Sequence, residues 1–244
     1  MAMNLIYGNQ PVQDFLLKRP QLIRKIWTKD PEVWLARIQK TGRKITVNKL
    51  NPIELGKLAG KEANHQGVVA EIQEFQYFPA IELWKQLPQR DKDLVLVLDQ
   101  IHDPHNFGAI IRSACLFGVQ NIIMLNRHQV EVTPTVVKTS AGTAFDVKIT
   151  KVANLYQALE TLKENGYWIY ASNLNQEAQD LRNVDFAAKT VLVVGNEGDG
   201  IRPLLTKASD FNVYIPIRPE IDSLNVSTAT AIMLFAIATQ LKLV

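Results

Sequence analysis

A chain of 244 residues, 47% hydrophobic and 21% charged, is long enough for one large domain or two modest ones with ample core. No apolar run is long enough to span a bilayer, and MAMNLIYGNQ lacks the charged-then-apolar pattern of a secretion signal, so a cytoplasmic protein with no membrane partner is expected. A single cysteine, Cys115, excludes an internal disulfide and a cysteine-based metal cluster, and its apolar helical setting reads as an inert thiol.

The net charge of +3 says little, but its distribution says more. Between Lys18 and Lys49 lie ten basic residues and two acidic ones, Asp30 and Glu32. That excess suits a phosphate backbone, the alternative being a solvated helix face. The same region carries its own run of elements. GNQPVQDFLLKR (8–19) sets Val12, Phe15 and Leu16 at helical spacing, and LIRKIW reads as a strand. Pro31, then Val33, Leu35 and Ile38, predict a helix ending before Gly42. KITVNKL alternates as a strand, NPIELGKLAG gives a short helix and HQGVVAEIQEF a last strand, so 1–76 forms a small α/β/α unit. Residues 77–92, with two prolines and mixed charge, read as a linker with at most one helical turn.

From residue 93 onward (93–244) strands and helices alternate regularly. LVLVLD, NIIML, FDVKIT, YWIYAS, VLVVG and FNVYIP are strands; NFGAIIRSACLFG, 153–165, the stretch around Leu204 and 226–243 are helices, and PTVVKTSAG is a helix or irregular turn. Such alternation predicts a parallel sheet with helices on both faces and a ligand crevice beyond the strand carboxyl ends. Three polar sets fall at those ends. Asn106 is expected at a helix N-cap, with Gly108 and Arg112 one turn apart facing the same crevice; the alternative is that Asn106 only caps and Arg112 pairs with Asp103 or Glu197. NEGDG carries Glu197 between Gly195, Gly198 and Gly200, which allow close approach or positive φ, the alternative being a tight turn with a solvated carboxylate. DSLNVS opens the last helix with Ser223 and Asn225. A dinucleotide fingerprint, a P-loop, HExxH and GxSxG are absent, and His102 with His105 has no partner set for zinc.

In order and spacing, DPHNFGAIIRSA, LVVGNEGDGIRP and IPIRPEIDSLNVSTATAIMLF resemble the three motifs of the SpoU (TrmH-type) ribose 2′-O-methyltransferases. IYGNQPV and HQGVVAE are similar to the L30e-like substrate-binding domain of the rRNA-directed members, and the chain as a whole is most similar to those that modify a guanosine of 23S rRNA. The resemblance implies a SPOUT-type α/β fold with a parallel sheet and a C-terminal trefoil knot, S-adenosyl-L-methionine as cofactor, RNA as partner, no DNA, no metal, and a homodimer packed through the last helix. It implies cofactor contacts at Gly195, Ile215 and Leu224, and catalytic roles for Asn106, Arg112, Glu197, Ser223 and Asn225. A tRNA ribose target, or a non-catalytic ribosome-assembly factor of the same fold, is the competing expectation.

Overall fold

The computed structural model describes residues 4–60, 63–175, 177–218 and 223–244. Its first sheet has the order β1-β4-β2-β3, with β1 (Leu5–Tyr7), β2 (Ile23–Thr28), β3 (Thr46–Lys49) and β4 (Val68–Ile72). β4 runs antiparallel to both neighbours, whereas β2 and β3 are parallel. Alternate residues Val68, Ala70 and Ile72 of β4 face one core together with Val12, Phe15 and Leu16 of α1 (Asn9–Lys18), as the helical spacing predicts. In α2 (Pro31–Gln39) the inner face is different from the one expected. Trp34 and Ile38, four apart, are buried, while Val33 and Leu35 flank them and are each 49% exposed. Helix α3 (Pro52–Ala59) starts with a reciprocal capping box between Asn51 and Glu54.

The stretch expected as a linker folds onto the second sheet. Helix α4 (Ala80–Gln86) buries Leu83 completely, Leu87 follows it into the same core, and the Phe78 N–H donates to the Ile149 carbonyl at 2.8 Å. Spacing of Leu83 and Leu87 by four is the signal that the prolines obscure.

Among the described residues the second sheet has seven strands, paired in parallel throughout, in the order β7-β6-β5-β10-β8-β11-β9. These are β5 (Asp93–Asp99), β6 (Asn121–Leu125), β7 (Lys148–Val152), β8 (Trp168–Ser172), β9 (Gln179–Asp180), β10 (Lys189–Gly195) and β11 (Phe211–Tyr214). Along β5, Leu94, Leu96 and Leu98 enter one core, with α5 (Pro104–Leu116), α6 (Pro134–Thr139) and α9 (Val226–Leu241). Val95 and Val97 enter the other, with α4, α7 (Leu155–Glu164) and α8 (Pro203–Ala208). Apolar residues at every position from Leu94 to Leu98 are therefore required by burial on two faces. The two-residue β9 was not expected, being too short for any pattern. From β5 the chain turns towards β6 and β7, and from β10 towards β11. The sheet thus has its switch point between the adjacent strands β5 and β10, where a crevice is expected.

The small unit packs against the large one. Arg19, 7% exposed, forms an ion pair with Asp146, and the Phe15 ring meets Phe145 edge-on at 5.9 Å. Val137 of α6 is buried in the core of the first sheet's unit.

At the far end of the second sheet Asp93, 3% exposed, accepts from the Tyr167 hydroxyl at 2.8 Å and from Arg90 at 2.9 Å. Burial, then the Asp93 charge, pushes the Tyr167 phenol above its ordinary value of 10.0. A raised phenol contributes stability that is complete below pH 10 and is lost above it, because the unfolded chain ionises there while the folded one holds its proton. Urea melts between pH 8 and 11.5 should show stability falling beyond pH 10, and a shallower fall in Tyr167→Phe, which also loses about 1 kcal/mol at neutral pH. An unchanged slope in the variant would exclude the phenol as a source.

Candidate active site at the switch point

Strand β10 ends with Gly195 in register with Asp99, the last residue of β5. Residues Asn196 and Gly200 then exchange two backbone hydrogen bonds, each 3.2 Å, and close the loop on itself. The Asn196 side-chain oxygen accepts from the Gly198 and Asp199 amides at 2.8 and 2.7 Å, which fixes the tip. The glycines differ in what they do. Gly200 has φ +68, and a Cβ on Gly195 would sit 2.1 Å from the Gly200 carbonyl; Gly198, also expected to allow close approach or positive φ, has neither constraint.

Glu197 stands exposed at this tip and accepts from the Asn106 side-chain amide. The Asn106 oxygen accepts from the Asn225 amide at 3.0 Å. Asn225 is the N-cap of α9, its oxygen receiving Ser227 N–H at 2.9 Å, Thr228 N–H at 3.3 Å and the Ser227 hydroxyl at 2.6 Å. Three strand-end loops are thereby joined in one chain, Glu197 to Asn106 to Asn225, across sequence separations of 91 and 119 residues.

Several expected details are corrected. Asn106 is not the cap of α5: Asp103 is, accepting the His105 amide at 2.9 Å with Pro104 in the first turn, which leaves the Asn106 side chain free for Glu197 and Asn225. Gly108 does not face the crevice; a Cβ there would meet Thr139 at 2.7 Å, so it serves the close packing of α5 on α6. Arg112 lies roughly 240° around the helix from Asn106 and is exposed, and among the described residues it pairs with neither Asp103 nor Glu197. Cys115 is half-buried and its thiol is pushed up by burial, as suits an inert group.

Beside the polar chain, past the ends of β8 and β11, lies an open cleft of about 190 Å³. Ser172, Val213, Ile215, Ser223, Leu224 and Met233 are among its walls. It brings Ile215, Leu224 and Ser223 together, while Gly195 lies at the end of the next strand in the sheet. Missed from the sequence were Asn196, whose side chain shapes the loop, and Ser227 and Thr228, although an Asn followed by Ser and Thr just before an apolar run is a capping signature.

An open parallel sheet with a connected polar set and an apolar cleft at its switch point is the build of a ligand-binding α/β enzyme. The profile of the SpoU rRNA methylase family matches residues 93–235, and that of the RNA 2′-O ribose methyltransferase substrate-binding domain matches residues 5–78. The chain belongs to the SpoU rRNA methylase family and is an RNA methyltransferase of the SpoU/TrmH kind, with the SPOUT fold. It is 35% identical over 98% of its length to an uncharacterized tRNA/rRNA methyltransferase of Synechocystis, of whose length it spans 63%. With one of Mycoplasma genitalium it shares 41% identity over 72% of this chain and 74% of that protein. Among solved structures, the SpoU methyltransferase of Streptomyces viridochromogenes superimposes with a TM-score of 0.76 over 98% of this chain and 90% of that one, at 21% identity. The TrmH/SpoU tRNA modifying enzyme of A. aeolicus gives 0.56 over 66% of this chain and 83% of its own, at 33% identity.

Proposed function

We propose that the protein transfers a methyl group from S-adenosyl-L-methionine to a ribose 2′-oxygen of 23S rRNA, most specifically of a guanosine, and acts in the cytoplasm as a homodimer. The observation that carries this reading is the hydrogen-bonded chain Glu197–Asn106–Asn225 beside the apolar cleft. The cleft suits the cofactor: Val213, Ile215, Leu224 and Met233 offer apolar walls for a purine face, Ser172 offers a hydrogen bond to its polar edge, and among the described residues no carboxylate or cation lines it. When bound, the cofactor supplies an activated methyl on a sulfonium that is already a good leaving group.

The residues then have positioning and proton transfer left to perform. Glu197, exposed and held by Asn106, is placed to accept the 2′-hydroxyl proton. Ser223 and Asn225 hold the ribose from the opposite loop. A guanidinium offers donors and no acceptor, so the part of Arg112 is charge stabilisation of the developing alkoxide or of the adjoining phosphate, a part its exposure leaves it free to take once RNA is seated. Residues 1–76 grip the RNA, 77–92 connect, and 93–244 carry out transfer; the excess of basic residues between Lys18 and Lys49 supports the first role.

Support for the homodimer is an apolar patch formed by Leu116, Ile232 and Phe235, 63%, 39% and 56% exposed, with Phe117 and Phe235 in edge contact at its centre. The C-terminal trefoil knot is part of the same proposal. What supports it is that Asn225, which follows β11 in sequence, bonds to Asn106 and that α9 shares a core with α5. Among the described residues no helix is long and apolar enough to cross a membrane.

A tRNA target is the second reading, favoured by the tRNA modifying enzyme to which 66% of the chain is similar; the substrate-binding unit at residues 5–78 favours rRNA. Labelled S-adenosylmethionine, offered with separately purified 23S rRNA, 16S rRNA and bulk tRNA, should label 23S rRNA alone, and mapping should find one 2′-O-methylated guanosine. Label in tRNA alone would overturn the rRNA assignment; bound cofactor with no label in any RNA or in large-subunit assembly particles would favour the non-catalytic factor.

A further inference from the structure

Asp99 lies one step behind the polar chain and is fully buried, at the carboxyl end of β5. Its carboxylate is wholly engaged by one residue. Arg202 donates its backbone N–H at 3.0 Å, Nε at 2.8 and 3.1 Å to the two oxygens, and Nη2 at 2.8 Å. A buried carboxylate held by a planar guanidinium has one favourable geometry, and a backbone N–H in the same set ties main chain as well as side chain. Arg202 immediately follows Ile201 and the closed loop Asn196–Gly200, whose other end is fixed by Gly195 in register with Asp99 itself. Both ends of the loop that carries Glu197 are therefore referred to one residue of β5. The next segment of that strand's chain leads directly into α5 and Asn106, the partner of Glu197.

We propose that Asp99 and Arg202 are positioning residues for methyl transfer: their ion pair sets the height and angle of the Asn196–Gly200 loop, so that the Glu197 carboxylate meets Asn106. This rests on the role assigned to Glu197 above. Neither residue is among the described walls of the cleft, and the effect of the pair passes through the loop.

The test uses the full chain. Asp99→Asn keeps size and one acceptor but removes charge; Arg202→Lys keeps a cation before the buried carboxylate and removes the fork. Each is made alone and in a Glu197→Gln background, and turnover is measured with labelled S-adenosylmethionine on whichever of the three RNAs the wild type labels. Expected is a fall in kcat of about 10- to 100-fold, the scale of an ångström-level misplacement, with KM for RNA within about threefold. In the Glu197→Gln background the same substitutions should change kcat by less than about twofold. A second readout needs no RNA: the Gly198, Asp199 and Gly200 amides should exchange with deuterium at least about tenfold faster in Arg202→Lys. Unchanged loop exchange, or equal kcat losses in both backgrounds, would overturn the positioning role. Glu197→Gln as fast as wild type would overturn the reading of Glu197 itself, and the positioning role with it. Should Asp99→Asn fail to fold, Arg202→Lys decides alone.

Discussion

Asn106→Ala is expected to lower kcat by about 10²-fold while leaving cofactor affinity within about twofold. The Asn106 amide is the joint of the site: its nitrogen donates to Glu197 and its oxygen accepts from Asn225. Truncation removes both bonds, which leaves the Glu197 carboxylate and the Asn225 amide to solvent. Neither group is deeply buried, so the loss of stability should be only about 1 kcal/mol, and the fall in rate cannot be blamed on unfolding. The cleft residues Ile215, Leu224 and Met233 make no use of Asn106, hence the unaltered cofactor affinity.

The substitution Asn106→Asp discriminates further. It keeps an acceptor for Asn225 but sets a second carboxylate against Glu197, so one of the two carboxyls must take up a proton at a raised pKa. Once protonated, it donates to the other and restores the wild-type pattern. Activity of Asn106→Asp relative to wild type should therefore rise as pH falls through that pKa, whereas Asn106→Ala should keep a constant ratio. A pH-independent ratio for Asn106→Asp would show that the bond to Glu197 has no part in turnover. Steady-state methyl transfer from pH 5.5 to 8.5 makes the comparison.

What could be read from the chain in advance was what local physics fixes. Strands such as Val95 to Leu98, apolar at every position, announce burial on two faces, and the order of strands and helices announces a parallel sheet. Errors arose where a local pattern had two solutions. In α2 any of Val33, Trp34, Leu35 and Ile38 can begin an apolar face, and packing against β2 selects Trp34 with Ile38. Before α5, Asp103 and Asn106 both cap well; the following Pro104 decides for Asp103, and only then is Asn106 free to act at a distance. The bonds of the site itself join loops 91 and 119 residues apart, beyond the reach of any periodicity. Motif resemblance named Asn106, Glu197 and Asn225, but that they form one chain, that Arg112 stands outside it and that Asp99 lies behind it are consequences of strand order. β5 and β10 are adjacent in the sheet although α5, β6, α6, β7, α7, β8 and β9 separate them in sequence.

The largest single loss is expected from Gly195→Ala. A Cβ at this position would fall 2.1 Å from both the carbonyl carbon and oxygen of Gly200 and 2.4 Å from the Ile201 nitrogen. All three are backbone atoms of the returning limb of the loop, and no side-chain rotation relieves them. One limb must move by an ångström or more. Gly195 cannot readily do so, because β10 is paired on both sides, to β5 and to β8. The returning limb must therefore lift, breaking the two 3.2 Å bonds between Asn196 and Gly200 and pulling Arg202 from Asp99. Overpacking of this kind costs about 1–3 kcal/mol, which lowers Tm by roughly 2–4 °C per kcal/mol in a chain of this size. Glu197 moves with the loop, so turnover should fall by at least about 10²-fold, beyond anything the loss of stability explains. Gly198→Ala is the control within the same loop, since a Cβ there meets only the Asn196 side-chain oxygen at 3.6 Å and should change Tm by less than about 1 °C. Calorimetry and labelled methyl transfer on the two variants separate the causes: if Gly195→Ala lost stability but kept its rate per folded molecule, the loop would be a structural closure and Glu197 would have no place in the chemistry.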